Sequence, residues 1–226
     1  MSVVIAIEKN KTDPALPKTL RMTYDEFRDW ADEDTHAEWV DGAVIEQMPP
    51  KNLHQNVVGF LYELLDLFVR IFQLGIVRVA PFEMRAIPDG SAREPDILFI
   101  ANEHRERLVE ERLAGPADLV IEVISDESVA RDRADKFYEY EQAGVREYWI
   151  IDPRPARTRA DFYVLDARAR YQPAPIGADG IYRSAVLPGF WLRAEWVWSV
   201  DAPTPLRALA QMIGRDKIIA ALDGVE

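Results

Sequence analysis

The chain has 226 residues, of which 48% are hydrophobic and 29% charged, so it can fold as one domain with a sizeable core. Its 27 basic and 39 acidic side chains give a net charge of −12, which argues against broad, nonspecific coating of nucleic acid. The absence of Cys excludes disulfides and thiol nucleophiles. The sequence shows no apolar run of about 18 residues and no signal-peptide pattern, so we expect a cytoplasmic protein that does not span a membrane.

The first quarter of the chain carries strong local signals. Residues 1–18 have no sustained period and are interpreted as a flexible N-terminal lead-in. Thr23 and Glu26 form a capping-box pattern that predicts a short helix to about Ala31. Asp41-Gly42 lies between two apolar-rich runs and predicts a hairpin. Apolar residues three and four apart then predict a long helix over 52–74.

The rest of the chain alternates between extended and helical patterns. A helix is predicted over 131–143, ended by Gly144, and the C-terminal 201–226 form a helical tail. Together these elements indicate an α/β domain over 19–200, with a central mixed β-sheet flanked by helices. The predicted extended segments are 76–80, 83–87, 96–100, 118–124, 147–151, 161–165, 170–173 and 182–187.

Carboxylates are the chemically notable residues of this chain. Its three His are scattered, and no metalloprotease, esterase, P-loop or dinucleotide motif occurs. Glu122 interrupts an apolar strand, where burial is costly unless a cation pairs with the carboxylate or a metal binds it. Asp96 opens a second apolar strand, and two such acids on neighbouring strands could hold a hard divalent cation. The alternative is that each acid caps or ion-pairs at a strand end.

Lys136 adds a cation to this pattern. The strand continues about three residues beyond Glu122, roughly 10 Å at ~3.3 Å per residue. A return helix starting near Val129 brings Lys136 back by roughly 10 Å at ~1.5 Å per residue, level with Glu122. Asp132 and Tyr140 share the helix face of Lys136. Two acids, a lysine and a metal ion form a group suited to phosphodiester hydrolysis. The alternative is that Asp132 and Lys136 form an ordinary ion pair on the solvated surface.

At these residues the sequence resembles the Uma-type family of restriction endonucleases, placed in the PD-(D/E)XK nuclease superfamily. The resemblance covers roughly 19–200. The segments that carry it are Glu94-Pro95-Asp96-Ile97, 118–125, Asp132…Lys136…Tyr140 and 144–153, with 24–34, 38–42, His54 and 187–190 as further matches.

The resemblance implies a restriction-endonuclease-like fold and DNA as the substrate. It implies that Asp96 and Glu122 bind the metal, Mg²⁺ or Mn²⁺, and we expect the Val123 carbonyl as a further ligand. The lysine usually follows the second acid by two residues, where this chain has Ile124, so the resemblance implies that Lys136 replaces it. The possible accessory residues are Glu38, His54, Asp132 and Tyr140, each with a purely structural alternative.

Two other functions remain open at this point. One is a non-catalytic binding or assembly protein on the same fold, with the segment 191–198 and the tail helix in a homodimer interface. A homodimer is also our expectation for the nuclease. The other is a metal-dependent hydrolase that acts on something smaller than DNA.

Overall fold

The computed structural model describes residues 20–32, 35–126 and 128–224. The predicted lead-in, 1–18, lies outside this range. The helices are α1 (Tyr24–Trp30), α2 (Asn52–Ile71), α3 (Lys136–Ala143), α4 (Pro205–Ile213) and α5 (Arg215–Leu222). The strands are β1 (Ala37–Val40), β2 (Ala43–Glu46), β3 (Gly75–Val79), β4 (Glu83–Arg85), β5 (Ile97–Ala101), β6 (Arg112–Ala114), β7 (Leu119–Val123), β8 (Glu147–Asp152), β9 (Arg159–Leu165), β10 (Tyr171–Pro173), β11 (Ile181–Arg183) and β12 (Trp191–Arg193).

A six-stranded mixed sheet with the order β10-β9-β8-β7-β5-β3 forms the centre of the fold. Only β7 and β8 pair in parallel, and all other neighbours in this sheet are antiparallel. Parallel neighbours need a crossover, which the helical segment 131–143 provides. The predicted α/β fold with a central mixed sheet flanked by helices is therefore confirmed.

The two faces of β7 pack against different helices because side chains alternate along a strand. Ile121 and Val123 contact the cluster that contains α2, whereas Val120 and Ile124 lie in the cluster with Tyr140 of α3. Four α2 side chains on the core-facing stripe are completely buried, each worth roughly 1.5–3 kcal/mol of burial. They are Leu61, Leu64, Leu65 and Phe68. Glu122 thus faces the α3 side of the sheet.

Local signals at the N-terminal end gave correct elements. Both hydrogen bonds of the Thr23–Glu26 capping box are present at the start of α1. Asp41 and Gly42 both have positive φ and connect β1 to β2.

Two predicted helices differ from the structure at one end. The helix predicted over 52–74 ends at Ile71, because Phe72 leaves helical geometry and Gln73 has a positive φ of 51°. Gly75 then enters β3 directly, where a Cβ would lie 2.0 Å from the Ile100 carbonyl oxygen. The predicted helix 131–143 begins as a π-helix over Arg131–Asp135. A 3₁₀ helix over Asn102–Arg107 directly follows β5.

Glu147, at the start of β8, is a second acid buried in an apolar strand. Its Oε1 accepts hydrogen bonds from Trp149 Nε1 at 2.6 Å and the Tyr182 hydroxyl at 2.8 Å. Its Oε2 accepts from Ser184 Oγ and from the backbone N–H groups of Ala185 and Val186. Five neutral donors therefore satisfy this carboxylate, which fastens the β11–β12 hairpin to the sheet.

The C-terminal residues pack against the domain through α4, whose Ala208 and Leu209 are buried in the cluster that contains α2. No described helix combines the length and the apolar character needed to span a bilayer.

Candidate active site

Glu122 lies near the end of β7 and is 3% exposed. Its Oε1 accepts hydrogen bonds from Lys136 Nζ and from the Tyr140 hydroxyl, both at 2.8 Å. Among the described residues, no hydrogen bond to its Oε2 is found. Lys136 thus lies level with Glu122, as the lengths of the strand and the returning helix predicted.

Lys136 is enclosed by three carboxylates. Its Nζ lies 2.8 Å from Glu122, 3.1 Å from Glu38 Oε1 and 3.6 Å from Asp132 Oδ1. All four side chains are no more than 4% exposed. The pair Asp132–Lys136 is therefore buried in the site, and the alternative of a solvated surface pair is wrong.

The π-helical turn determines how Asp132 enters this group. Such turns are rare and occur often at functional sites. Here the turn places Asp132 inward, where its Oδ1 is buried without a hydrogen-bond donor among the described residues. Asp132 and Lys136 thus both reach the centre of the site, one turn apart.

Glu38, on β1, connects the site to a buried arginine. It accepts from Arg93 Nη1 at 3.2 Å and from the Glu94 backbone N–H at 3.2 Å. Arg93 in turn donates to Glu139 of α3 at 2.7 Å. Burial raises the pKa of Glu38, but the charges of Lys136, Arg93 and Arg131 outweigh it and bring the pKa to about 2. Glu38 is therefore part of the site, and its alternative as a water-facing hairpin charge is wrong.

Asp96 directly precedes β5, which is the strand adjacent to β7. Its Oδ2 accepts the Val123 backbone N–H at 2.7 Å and lies 3.2 Å from His54 Nε2. The bond to Val123 ties Asp96 to the end of β7. Burial lowers the pKa of His54, but the hydrogen bond and charge of Asp96 raise it more, and the net shift is upward. His54 therefore contacts the site through Asp96.

Negative charge is concentrated here beyond what the nearby cations balance. Burial, followed by the charges of Asp132, Asp96 and Glu38, raises the pKa of Glu122 above its ordinary value although Lys136 opposes this. Burial also raises the pKa of Asp132. For Glu94, burial and then the charges of Glu38 and Glu83 raise the pKa to about 7. The site consequently favours the binding of protons or cations.

These residues line a cleft of about 590 Å³ at the edge where β3 ends, β5 begins and β7 ends. Asp96, Glu122, Asp132 and Lys136 all face it, as do Val123 and His54. A non-catalytic binding protein would have its acids paired and would lack a cleft. In this structure some of the acids are paired, but a cleft is present.

The described residues of this cleft do not bring three metal-binding side chains close together. Within the described ranges, three Asp, Glu or His ligand atoms lie within 4.8 Å of one another only at Glu103, His104 and Asp118, outside the cleft. Arg146 already pairs with Glu103 and Asp118 there. In the cleft, a cation would have Asp96 and Glu122 as its carboxylate ligands, supplemented by the Val123 carbonyl and water.

Sequence reasoning missed three participants: Arg93, Glu94 and Arg131. Arg93 and Glu94 directly precede the Pro95-Asp96 pair, so their adjacency to a candidate ligand was the available signal. Arg131 precedes Asp132, but its orientation depends on the π turn, which no sequence pattern indicated.

A mixed sheet with two acids on adjacent strand ends, and a lysine returned by the following helix, defines a restriction-endonuclease-like protein. The family model Uma2, described as "Putative restriction endonuclease", matches residues 24–195. The chain belongs to this family, as its resemblance implied.

A solved structure supports the same fold. It is described as "a putative nuclease belonging to DUF820" from Anabaena variabilis, with a TM-score of 0.62 and 15% identity. The match covers 78% of this chain and 97% of that one. At this identity the similarity shows the fold alone. No curated protein matches the chain at a significant level.

Proposed function

We propose that this protein is a divalent-metal-dependent endonuclease that hydrolyses DNA phosphodiester bonds. The observation that carries the proposal is the juxtaposition of Glu122 and Lys136 at 2.8 Å inside an open cleft that Asp96 also lines. Membership of a nuclease family supports the reaction class. The acids supply oxygen ligands, which Mg²⁺ and Mn²⁺ accept.

The ligands would be Asp96, Glu122 and the Val123 carbonyl. Their chemistry fits a hard cation, since Asp96 Oδ1 and Glu122 Oε2 are without hydrogen bonds from the described residues and the surrounding charge is negative. When bound, Mg²⁺ or Mn²⁺ supplies Lewis-acid neutralisation of the phosphate and favours ionisation of water.

The protein side chains would then act on the substrate and on one another. Lys136 carries a positive charge, because burial lowers its pKa but the charges of Glu122, Glu38 and Asp132 raise it further. Its ammonium group orients Glu122 and stabilises the charge that develops on the phosphate. Glu38 and Asp132 hold the ammonium in place, and His54 orients Asp96. Tyr140 donates to Glu122 Oε1, the oxygen that Lys136 also binds, and so helps to fix the orientation of the carboxylate.

The test is nicking of supercoiled plasmid with Mg²⁺ or Mn²⁺, alongside Mn²⁺ titration calorimetry. We expect Asp96→Asn and Glu122→Gln to lose at least about 100-fold in nicking rate and to lose Mn²⁺ binding. The matched control is Asp152→Asn, since Asp152 is also a buried acid at a strand end but pairs with Arg154 outside the cleft. No Mn²⁺ binding by the wild-type protein would refute the proposal.

A second candidate is a non-catalytic binding or assembly protein on this fold. The observation that favours it is that Lys136 and Arg93 already pair with Glu122 and Glu38. The predicted homodimer would be its working form. Wild-type protein that binds no Mn²⁺ and nicks no DNA, but sediments as a dimer, would favour this candidate.

A further inference from the structure

The cleft has two chemically different ends. At the β3 end, and along the segment that leads into α2, the lining includes a run of apolar residues, flanked by the polar Gln47 and Lys51: Met48, Pro49, Pro50, Val79, Ala80 and Pro81. At the end formed by β7 and α3, the lining is charged and includes Glu122, Arg131 and Lys136. Because β5 lies between β3 and β7 in the sheet, Asp96 stands between the two ends.

Among the described residues that line the cleft, Arg131 is a cation whose side chain has no hydrogen-bond partner. Lys136 is engaged by three carboxylates, and Lys51 pairs with Asp126 at 2.8 Å. The Arg131 side chain makes no hydrogen bond to any described residue, and among these residues the carboxylate oxygen nearest to it, on Asp132, is 4.0 Å away. Its side chain is 24% exposed, and its Nε is buried without an acceptor. Arginine binds phosphate through two parallel N–H groups, so a phosphate is the fitting partner.

The charge of the cleft does not suit a long duplex. Proteins that hold duplex DNA through its backbone neutralise several phosphates, commonly 6–10 in tight complexes. Here the described lining offers few cations for phosphate, chiefly Arg131 and the exposed Lys51, which pairs with Asp126, and the chain carries a net charge of −12. A substrate held at few phosphates gains part of its affinity from contact between the cleft and its base.

The apolar end offers that contact. Met48 is 73% exposed at the mouth of the cleft, beside two prolines. Met and Pro are among the residues that proteins insert between unstacked bases. The volume of about 590 Å³ lies in the range of small-molecule pockets, which is the scale of a nucleotide rather than of a double helix.

We propose that the cleft takes one unpaired nucleotide of a DNA strand, with the base against the Met48–Pro50 segment and a phosphate on Arg131. This inference rests on the proposed nuclease function and names its substrate class. Single-stranded or locally unpaired DNA is the substrate, and fully paired duplex is not.

The test compares fluorescence anisotropy of one labelled oligonucleotide, single-stranded and as a duplex, in Ca²⁺, which accepts the same oxygen ligands. We expect the single strand to bind at least about tenfold more tightly, with a salt slope near −0.7 for one phosphate contact. Arg131→Gln should weaken single-strand binding by about 10-fold or more, as loss of a charged hydrogen-bond partner implies. Met48→Ser should also weaken it.

Matched controls separate these effects from charge and stability. Arg133→Gln makes the same charge change in the same π turn, but Arg133 pairs with Asp161 and does not line the cleft. Val109→Ser removes an exposed apolar side chain outside the cleft. Both controls should bind the single strand as the wild-type protein does.

Duplex binding as tight as single-strand binding would overturn the inference, and so would equal effects of Arg131→Gln and Arg133→Gln. Cleavage of linear duplex and of circular single-stranded DNA with Mn²⁺ distinguishes the two proposals. Equal cutting of both refutes the substrate class and leaves the nuclease. Arg131-dependent single-strand binding without any cutting supports the ligand and refutes the hydrolytic function.

Discussion

Lys136→Met should destabilise the protein strongly in the absence of metal. The substitution keeps much of the side-chain length but removes the ammonium group from between Glu38, Glu122 and Asp132. Lys51→Met is the matched control, because Lys51 Nζ and Asp126 are also 2.8 Å apart. The two ion pairs differ in burial: the Lys136 and Glu122 side chains are 3% and 4% exposed, and those of Lys51 and Asp126 are 67% and 61% exposed.

Burial sets the expected magnitudes. Removing one partner of a buried pair leaves an uncompensated charge and costs about 3–5 kcal/mol. An exposed pair at the same distance contributes about 0–1 kcal/mol, because water screens it. The free energy of unfolding should therefore fall by about 3–5 kcal/mol in Lys136→Met and by less than about 1 kcal/mol in Lys51→Met.

Urea unfolding followed by circular dichroism, with and without Mn²⁺, measures these differences. A cation bound only to the folded state at 100 times its dissociation constant adds about 2.7 kcal/mol. Since Lys136→Met removes the ammonium that competes for the carboxylates, Mn²⁺ should stabilise this variant at least as much as the wild-type protein.

Two results would refute this reasoning. Equal costs for Lys136→Met and Lys51→Met would show that burial of the ion pair does not determine its contribution. Stabilisation of the wild-type protein by Mn²⁺, with none in Lys136→Met, would show that the lysine helps to form the cation site rather than competing with it.

Two further predictions concern stability. Glu38→Gln should lower the free energy of unfolding by up to about 3 kcal/mol at pH 7, and this loss should shrink as pH falls from 4.5 toward 2. The folded-state pKa of Glu38 is about 2, below its ordinary value of 4.5, so its stabilising charge is present above pH 4.5 and is lost as pH falls. Urea unfolding of wild type and variant at pH 7 and pH 3 checks this. The same loss of stability at both pH values would contradict it. Gly59→Ala should stabilise the protein by about 0.5–1 kcal/mol, since Gly59 is in the middle of α2 with no atom within 4 Å of an added Cβ. Gly75→Ala should destabilise the protein, because the added Cβ would lie 2.0 Å from the Ile100 carbonyl oxygen. Thermal unfolding of the two glycine variants tests this contrast, and equal shifts of their unfolding temperatures would contradict it.

Elements whose cause is local could be predicted from the sequence. The start of α1 follows from the capping box, and the β1–β2 hairpin from Asp41-Gly42. The helical period of α2 and the strand β7 were equally clear. In each case, the residues that determine the structure lie within a few positions of one another, so no tertiary information is needed.

The sequence alone is insufficient to assign a chemical role to each buried acid. Glu122 and Glu147 both lie in apolar strands, and both are buried. Glu147 is satisfied by neutral donors, most of them from a distant hairpin, whereas Glu122 bonds Lys136 and lies among other acids. Their chemical roles differ because of partners that are far away in sequence.

The tertiary structure also decided the composition of the cleft. Arg93 pairs with Glu38 across 55 positions of the chain, and the π turn brings Asp132 to the centre and Arg131 to the lining. The sequence by itself determined the class of fold and the candidate acids, since apolar periodicity and an acid in an apolar strand are visible in one dimension. Which charges balance one another, and which remain available to a ligand, depends on distances in space, because electrostatic energy follows separation and burial rather than order along the chain.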